Sequence, residues 1–298
     1  LMKFGIIGLG RIGGNLSLQA MEKGHEVVGH SKSLEELKNL ELQGLEPAES
    51  IENLILKLDS PRIVFLYIPH GNPVEEVCAE IKKYLEPGDI IIDGGNSHWK
   101  KSISRYKEFK KQDVHFLDCG TSGGIKGAIS GACFMVGGEK EAYSIVEPIF
   151  KDLAVSEGYA YVGPAGAGHF TKLIHNAIEF GMLQAIGEGV ALLQASDYKL
   201  DLPKLMHNWS HGSVIRSWLI ELMEQGLREN NLEELKDYVE DTREVRWAIE
   251  YALDKEVWIP VISQAEFALY RSRDSENASA KAVALMRSGF GGHPLHKK

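Results

Sequence analysis

The sequence predicts an α/β domain built on a doubly wound sheet, followed by an all-α domain. Three observations carry this reading. Short apolar runs alternate with helical stretches from residue 3 to about 163. After Gly163-Pro164 the strand pattern stops and long amphipathic periodicities replace it. With 298 residues and 44% hydrophobic content, the chain can bury two cores of ordinary size.

In chain order, strands are expected over 3 to 7, 26 to 29, 62 to 68, 89 to 92, 114 to 118, 133 to 136 and 159 to 162. The later helical periodicities cover 167 to 195, 203 to 226, 231 to 254, 260 to 272 and 275 to 288. The boundary falls at Gly163 to Gly166, giving domains of residues 1–163 and 164–298. There is no internal repeat and no low-complexity tract, and the Gly-rich stretches at 120 to 138 and 289 to 292 punctuate elements rather than link domains.

A formal net charge of −9, with no long run of Lys or Arg, argues against nucleic acid as the main partner. An anionic substrate would need a local basic pocket. Cys78, Cys119 and Cys133 match neither a zinc site nor a disulfide framework, so a reducing cytoplasm is expected. The chain opens directly into a strand pattern, and no window approaches the roughly 18 apolar residues of a membrane helix. Neither a membrane nor export is expected.

Gly8-Leu9-Gly10-Arg11-Ile12-Gly13 follows the first strand and opens a helix, the context that a dinucleotide fingerprint of Rossmann type requires. Gly8 permits the tight turn, Gly10 lets a pyrophosphate approach the backbone, and Gly13 lets helix and strand pack closely. The helix N-terminus presents free N–H groups and a positive dipole end. The bland alternative is a strand-to-helix turn that needs glycine for packing alone.

The second strand ends His30-Ser31-Lys32-Ser33, without the acid that usually reads the ribose of NAD. Ser31 and Lys32 could instead bind a 2′-phosphate, which favours NADP over NAD; otherwise the four residues form a solvated turn in which Ser33 caps the helix holding Glu35 and Glu36. His30, Pro69 and Asn96 complete the expected cofactor contacts.

Tyr67-Ile68-Pro69-His70-Gly71 and Asp93-Gly94-Gly95-Asn96-Ser97 both fall at carboxyl ends of expected strands, where open α/β sheets bind ligands. Three further segments follow in order: Gly120-Thr121-Ser122-Gly123-Gly124; Gly127-Ala128 through Gly131 to Gly137-Gly138; and Gly166-Ala167-Gly168-His169-Phe170-Thr171-Lys172, continuing to His175-Asn176 and Glu179. Lys172, His175, Asn176 and Glu179 stand at i, i+3, i+4 and i+7 of one helix, a polar stripe flanked by Leu173, Ile174, Ala177, Ile178, Met182 and Leu183. Such a stripe either lines a cleft or is a solvated face with a Lys172 to Glu179 charge interaction. In a cleft, desolvation lowers a lysine pKa toward that of a general base and raises a carboxyl toward that of an acid.

This ordered set resembles the decarboxylating 6-phosphogluconate dehydrogenases of the β-hydroxyacid dehydrogenase superfamily, in a short, single-repeat form, over almost the whole chain. Ser122-Gly123-Gly124 and the Lys-x-x-His-Asn-x-x-Glu helix separate this branch from hydroxyisobutyrate-type relatives. The resemblance implies an NAD(P)-dependent oxidation of 6-phosphogluconate in the pentose phosphate pathway and gluconate utilization. Lys172 would accept the 3-hydroxyl proton as hydride leaves C3, and the 3-keto acid would lose carbon dioxide. Protonated Lys172 would stabilise the enolate, and Glu179 would protonate C1 of the enediol to give a pentulose 5-phosphate. No metal is required. Asn96, Ser122, Gly123, Gly124, His175 and Asn176 are implied substrate contacts, although turn formation by Asn96 and Ser122 and a satisfied core histidine at His175 are the plainer roles.

Some positions depart from the family pattern. Phe180 stands where a Tyr helps to hold the substrate phosphate, and Leu269 stands where an Arg is expected, with Arg271 and Arg273 the nearby cations. Thr242 to Trp247 also differ from the longer relatives. The tail from Arg287 to His293 matches the family tail, whose Arg and His reach a neighbouring subunit's site, which implies a homodimer or homotetramer. Arg216 matches another family stretch without an assigned contact. One alternative is a sister β-hydroxyacid dehydrogenase or imine reductase acting on an unphosphorylated substrate, favoured by Phe180 and Leu269 and opposed by Ser122-Gly123-Gly124, Arg287 and His293. A second is a non-catalytic nucleotide sensor, which would predict loss of Lys172 and Glu179.

Overall fold

The structure is a computed structural model that describes residues 1–274, 276–291 and 294–296. The chain divides into two compact units, Leu1–Ile174 and His175–Lys298.

The first unit alternates β1 (Lys3–Ile7), α1 (Arg11–Glu22), β2 (Glu26–His30), α2 (Leu34–Glu41), β3 (Glu46–Pro47), α3 (Ile51–Leu56), β4 (Ile63–Leu66), α4 (Asn72–Ile81), β5 (Ile90–Asp93), α5 (Trp99–Lys110), β6 (His115–Ser122), α6 (Gly124–Ser130), β7 (Ala132–Gly137), α7 (Lys140–Leu153) and β8 (Ala154–Gly163). These strands form one eight-stranded sheet in the order β3-β2-β1-β4-β5-β6-β7-β8. All neighbours are parallel except β6 and β7, so β7 and β8 run against the first six.

The residues of β4 explain why the sheet is covered on both faces. Ile63-Val64-Phe65-Leu66 is buried throughout, as expected of a strand between two helical layers. Side chains alternate between faces: Ile63 and Phe65 join a core with Phe4, Ile6, Ile92, Phe134 and Phe150. Val64 and Leu66 join the opposite core with Ile7, Val28, Ile91, Phe109 and Phe116. Every strand expected from the sequence is present. The two-residue β3 was not expected, because Glu46-Pro47 has no apolar alternation; it pairs at the sheet edge, where a proline is tolerated. β6 also runs on to Ser122, four residues beyond the expected end.

Helix α8 (Ala167–Gln194) begins in the first unit and continues as the first element of the second. It is followed by α9 (Leu202–Ser210), α10 (Trp218–Glu229), a 3₁₀ turn (Leu232–Glu234), α11 (Glu244–Asp254), α12 (Pro260–Arg273) and α13 (Ala278–Gly291). The second unit is therefore helical. The single helix expected over 203 to 226 is two. Gly212, at φ 79°, lies in the break, and Ser217 starts α10 afresh by accepting the Ile220 N–H. The helix expected over 231 to 254 is likewise corrected: only its second half is α-helical, entered through Arg243 in a left-handed conformation. Apolar periodicity carries on across both breaks, so it could not reveal them. Val190, Met206 and Ile220 form a small core of this unit with Ile186, Trp209 and Met223. Among the described residues, no helix is long and apolar enough to cross a membrane.

Candidate dinucleotide and active site

The chain leaves β1 toward β2 on one side and returns to β4 on the other, so the carboxyl ends of β1 and β4 form a topological switch point. The glycine motif lies there. Gly8, at φ 95°, donates its N–H to the His30 carbonyl at 2.9 Å; a Cβ there would lie 2.3 Å from the Tyr67 carbonyl oxygen. A Cβ on Gly13 would lie 2.0 Å from the Gly8 oxygen, so this glycine is required for the close approach of α1. Gly10 is different: a Cβ there would meet only the Glu36 Oε1, at 3.9 Å. Space is therefore kept beside the N-terminus of α1, whose unpaired N–H groups suit a pyrophosphate. Leu9 is buried in the core, Ile12 is half-buried and Arg11 is exposed, so a ligand would meet Leu9 through its backbone.

At the end of β2 the His30 Nδ1–H donates to the Ala48 carbonyl at 2.9 Å. Ser33 caps α2 through the Glu36 N–H, at 3.3 Å. Ser31 accepts the Ser33 N–H at 3.1 Å and donates its hydroxyl to Glu36 Oε2 at 2.9 Å. The exposed Lys32 ammonium lies 3.7 Å from the Glu76 carboxylate. Pro69 is exposed on the turn after β4.

The loop after β5 is organised by Asp93, which is fully buried. Its carboxylate accepts the Gly95 N–H at 3.2 Å, the Ser97 hydroxyl at 2.7 Å and the Arg105 guanidinium at 3.0 Å. Asn96, in the middle of that loop, is exposed. The Tyr67 hydroxyl lies 3.2 Å from Thr121 Oγ1, tying the end of β4 to β6. Burial pushes the Tyr67 pKa far above its usual value, so the phenol stays neutral. Ser122 is half-buried, and Gly123 and Gly124 open α6 at φ 116° and 59°.

The start of α8 is fastened to β6. Asp118, fully buried, accepts the Gly166 N–H at 2.6 Å and the His169 N–H at 2.8 Å. Three glycines make room for this contact. A Cβ on Gly168 would lie 2.1 Å from the Asp118 carbonyl oxygen, and one on Gly137 would lie 2.6 Å from the Gly168 nitrogen. A Cβ on Gly120 would lie 2.4 Å from the Lys172 Cβ. The lysine side chain therefore leaves the helix directly over Gly120, and it is buried, with 8% of its surface exposed. Ser102 and His169 add a buried link from α5, at 2.7 Å.

Further along α8, the His175 Nδ1–H donates to Asn176 Oδ1 at 3.1 Å and lies 3.7 Å from Glu179 Oε2. Asn176 is buried, whereas His175 and Glu179 are half-buried, so the stripe is partly shielded. Phe180 is half-buried, and Leu269 is a buried apolar residue of α12. Neither nearby cation is turned loose: Arg273 pairs with Asp241 at 3.1 Å, and Arg271 donates to the Asp274 carbonyl at 3.1 Å. Arg216 donates to the Ser213 carbonyl at 3.0 Å. Arg287 is exposed on α13, and His293 lies outside the described residues.

Three residues that organise this region have no role assigned from the sequence: Asp118, Glu36 and Tyr67. Asp118 carried a signal, since an acid closing an otherwise apolar strand must be hydrogen-bonded if the strand is buried. Its partners, 48 and 51 residues away, had none.

Two family models match, the NAD binding domain of 6-phosphogluconate dehydrogenase over residues 3–163 and the 6-phosphogluconate dehydrogenase C-terminal domain over residues 168–288. A Bacillus subtilis protein, YqeC, provisionally named a 6-phosphogluconate dehydrogenase, is 44% identical over 298 residues, covering 100% of both chains. The NAD(+)-dependent, decarboxylating 6-phosphogluconate dehydrogenase of Haloferax volcanii is 36% identical over 300 residues, covering 100% of this chain and 99% of its own. The Plasmodium falciparum 6-phosphogluconate dehydrogenase structure superposes with a TM-score of 0.84 at 30% identity, covering 99% of this chain and 66% of that one. Fold, nucleotide fingerprint and full-length relatives thus agree that the chain belongs to the 6-phosphogluconate dehydrogenase family of NAD(P)-binding oxidoreductases.

Proposed function

We propose that this protein oxidises and decarboxylates 6-phosphogluconate to ribulose 5-phosphate. The observation that carries the reading is the buried Lys172, held over Gly120 at the start of α8 and followed on the same stripe by His175, Asn176 and Glu179. Residues 1–163 serve as the nucleotide-binding domain and 164–298 as the substrate and dimerisation domain. Gly8, Gly10 and Gly13, with the backbone of Leu9, Arg11 and Ile12, hold the pyrophosphate, and His30, Ser31, Lys32, Pro69 and Asn96 lie along the rest of the cofactor. Nicotinamide, when bound, supplies the hydride acceptor.

Lys172 takes the proton of the 3-hydroxyl as the C3–H bond gives up its hydride, leaving a ketone at C3. The C1–C2 bond of this β-keto acid then breaks, and its electron pair passes through C2 to the C3 oxygen. Carbon dioxide leaves, and protonated Lys172 stabilises the enolate oxygen and returns its proton there. Glu179 then protonates the carbon that lost carbon dioxide while the now neutral Lys172 takes the proton of the enediol hydroxyl at C3, so that the C3 ketone of the pentulose phosphate forms. Asn96, Ser122, Gly123, Gly124, His175 and Asn176 orient the carboxylate and hydroxyls, while Arg287 and His293 serve the site of a neighbouring copy in a dimer or tetramer.

The test is nucleotide reduction with carbon dioxide release, measured with 6-phosphogluconate and with gluconate, each with NAD and NADP. Coupled reduction and release with the phosphorylated acid supports the reading. Turnover of the unphosphorylated acid alone replaces it with the reading that Phe180 and Leu269 favour, a sister hydroxyacid dehydrogenase.

A further inference from the structure

We infer that Glu36, a residue of the first turn of α2, reads the adenosine ribose and selects NAD over NADP. The inference rests on the family's nucleotide binding and not on the sugar acid that the enzyme oxidises. In the sequence no acid ends β2, where an NAD enzyme usually carries one, and Ser31 and Lys32 speak for a 2′-phosphate. The fold brings an acid back to that place from the next element. Glu36 Oε1 lies 3.9 Å from where a Cβ of Gly10 would stand, and this is the side of the fingerprint that is otherwise open. The carboxylate thus lies beside both the second fingerprint glycine and the end of β2, where the adenosine ribose of a Rossmann dinucleotide sits.

Its orientation is set by the loop. Ser31 gives its one hydroxyl proton to Glu36 Oε2 at 2.9 Å, and the Ser31 Oγ in turn accepts the Ser33 N–H at 3.1 Å. Ser31 is therefore a donor to a carboxylate, with no second proton for a phosphate. Lys32, the other residue suited to a 2′-phosphate, points its ammonium toward Glu76 at 3.7 Å, and 85% of its side chain is exposed. Arg11, the first residue of α1, is exposed. A carboxylate accepts hydrogen bonds from the ribose 2′- and 3′-hydroxyls of NAD. It repels the dianionic 2′-phosphate of NADP at the same place.

The experiment is fluorescence titration of the full chain with NADH and with NADPH, in the absence of any sugar acid. The expected result is NADH binding about tenfold or more tighter than NADPH. Glu36→Gln keeps an acceptor for Ser31 and removes the charge; it should cut that ratio about tenfold, with tighter NADPH binding supplying most of the change. An unchanged melting temperature in the variant would show that the loop is intact. Tighter NADPH binding by the wild type, or a ratio that Glu36→Gln leaves unmoved, overturns the inference. Because no sugar acid is present, failure of the 6-phosphogluconate assay would leave this result standing, and the reverse is equally true.

Discussion

The carboxylate of Asp118 on β6 accepts the backbone N–H of His169 at 2.8 Å, and its second oxygen accepts that of Gly166 at 2.6 Å. One side chain thus satisfies two of the donors that the N-terminus of α8 leaves open. Asp118→Asn keeps one acceptor but turns an N–H₂ group toward the second amide. Hydrogen bonds to a charged group contribute about 1.5 to 3 kcal/mol each, so a loss of about 2 to 3 kcal/mol is expected. Denaturant unfolding would measure it, together with a fall in kcat that exceeds any change in NADH affinity.

Gly120 tests the seating of Lys172. In Gly120→Ala the new methyl meets the Lys172 Cβ at 2.4 Å and the Gly168 carbonyl oxygen at 2.9 Å, so helix and lysine must shift. A displacement on the order of 1 Å at a reacting group costs about 100-fold in rate. That loss should appear in kcat while NADH titration stays near wild type. Lys172→Met should abolish turnover with the same retention of NADH binding; substantial residual oxidation would remove the lysine from its proposed role.

The fingerprint glycines make a paired prediction. Gly13→Ala places a Cβ 2.0 Å from the Gly8 oxygen, whereas Gly10→Ala places one in open space with only Glu36 Oε1 near, at 3.9 Å. The first variant should lose stability in calorimetry even without nucleotide. The second should melt like the wild type and bind NADH about tenfold or more weakly, because its methyl fills the space kept for the pyrophosphate.

In the second unit Glu266 is fully buried on α12, and burial pushes its pKa above the usual carboxylate range. Below the unfolded pKa both states hold the proton and no penalty arises. As pH rises through the raised native pKa, the folded state must ionise a buried acid, and stability is lost. Glu266→Gln should therefore raise the melting temperature at pH values well above the carboxylate range, by about 2 to 4 °C. The difference should shrink to nothing in acid, and a constant difference at every pH would assign the effect to packing.

Much of this was legible in the residues. The glycine motif announced the turn, the open phosphate side and the close helix because each glycine is a local steric requirement. Lys172 to Glu179 were legible because a helix repeat alone places them on one stripe. The breaks at Gly212 and before Arg243 were not, since apolar spacing persists across them. Glu36 stayed hidden because it approaches Gly10 from a separate element, and Asp118 because its partners are set by the reversal of β7 and β8.

That reversal also sets an order of events. Asp118 meets Gly166 only across 48 residues, which include α6, β7, α7 and β8. On a chain emerging from its N-terminus, β1 to β6 carry the complete glycine fingerprint long before residue 166 exists. Closing so distant a contact is slow compared with pairing neighbouring strands. The nascent protein thus carries the glycine fingerprint first and completes the seat of the lysine proposed to do the chemistry last, after β7, α7 and β8 have closed the core beneath β1 and β4.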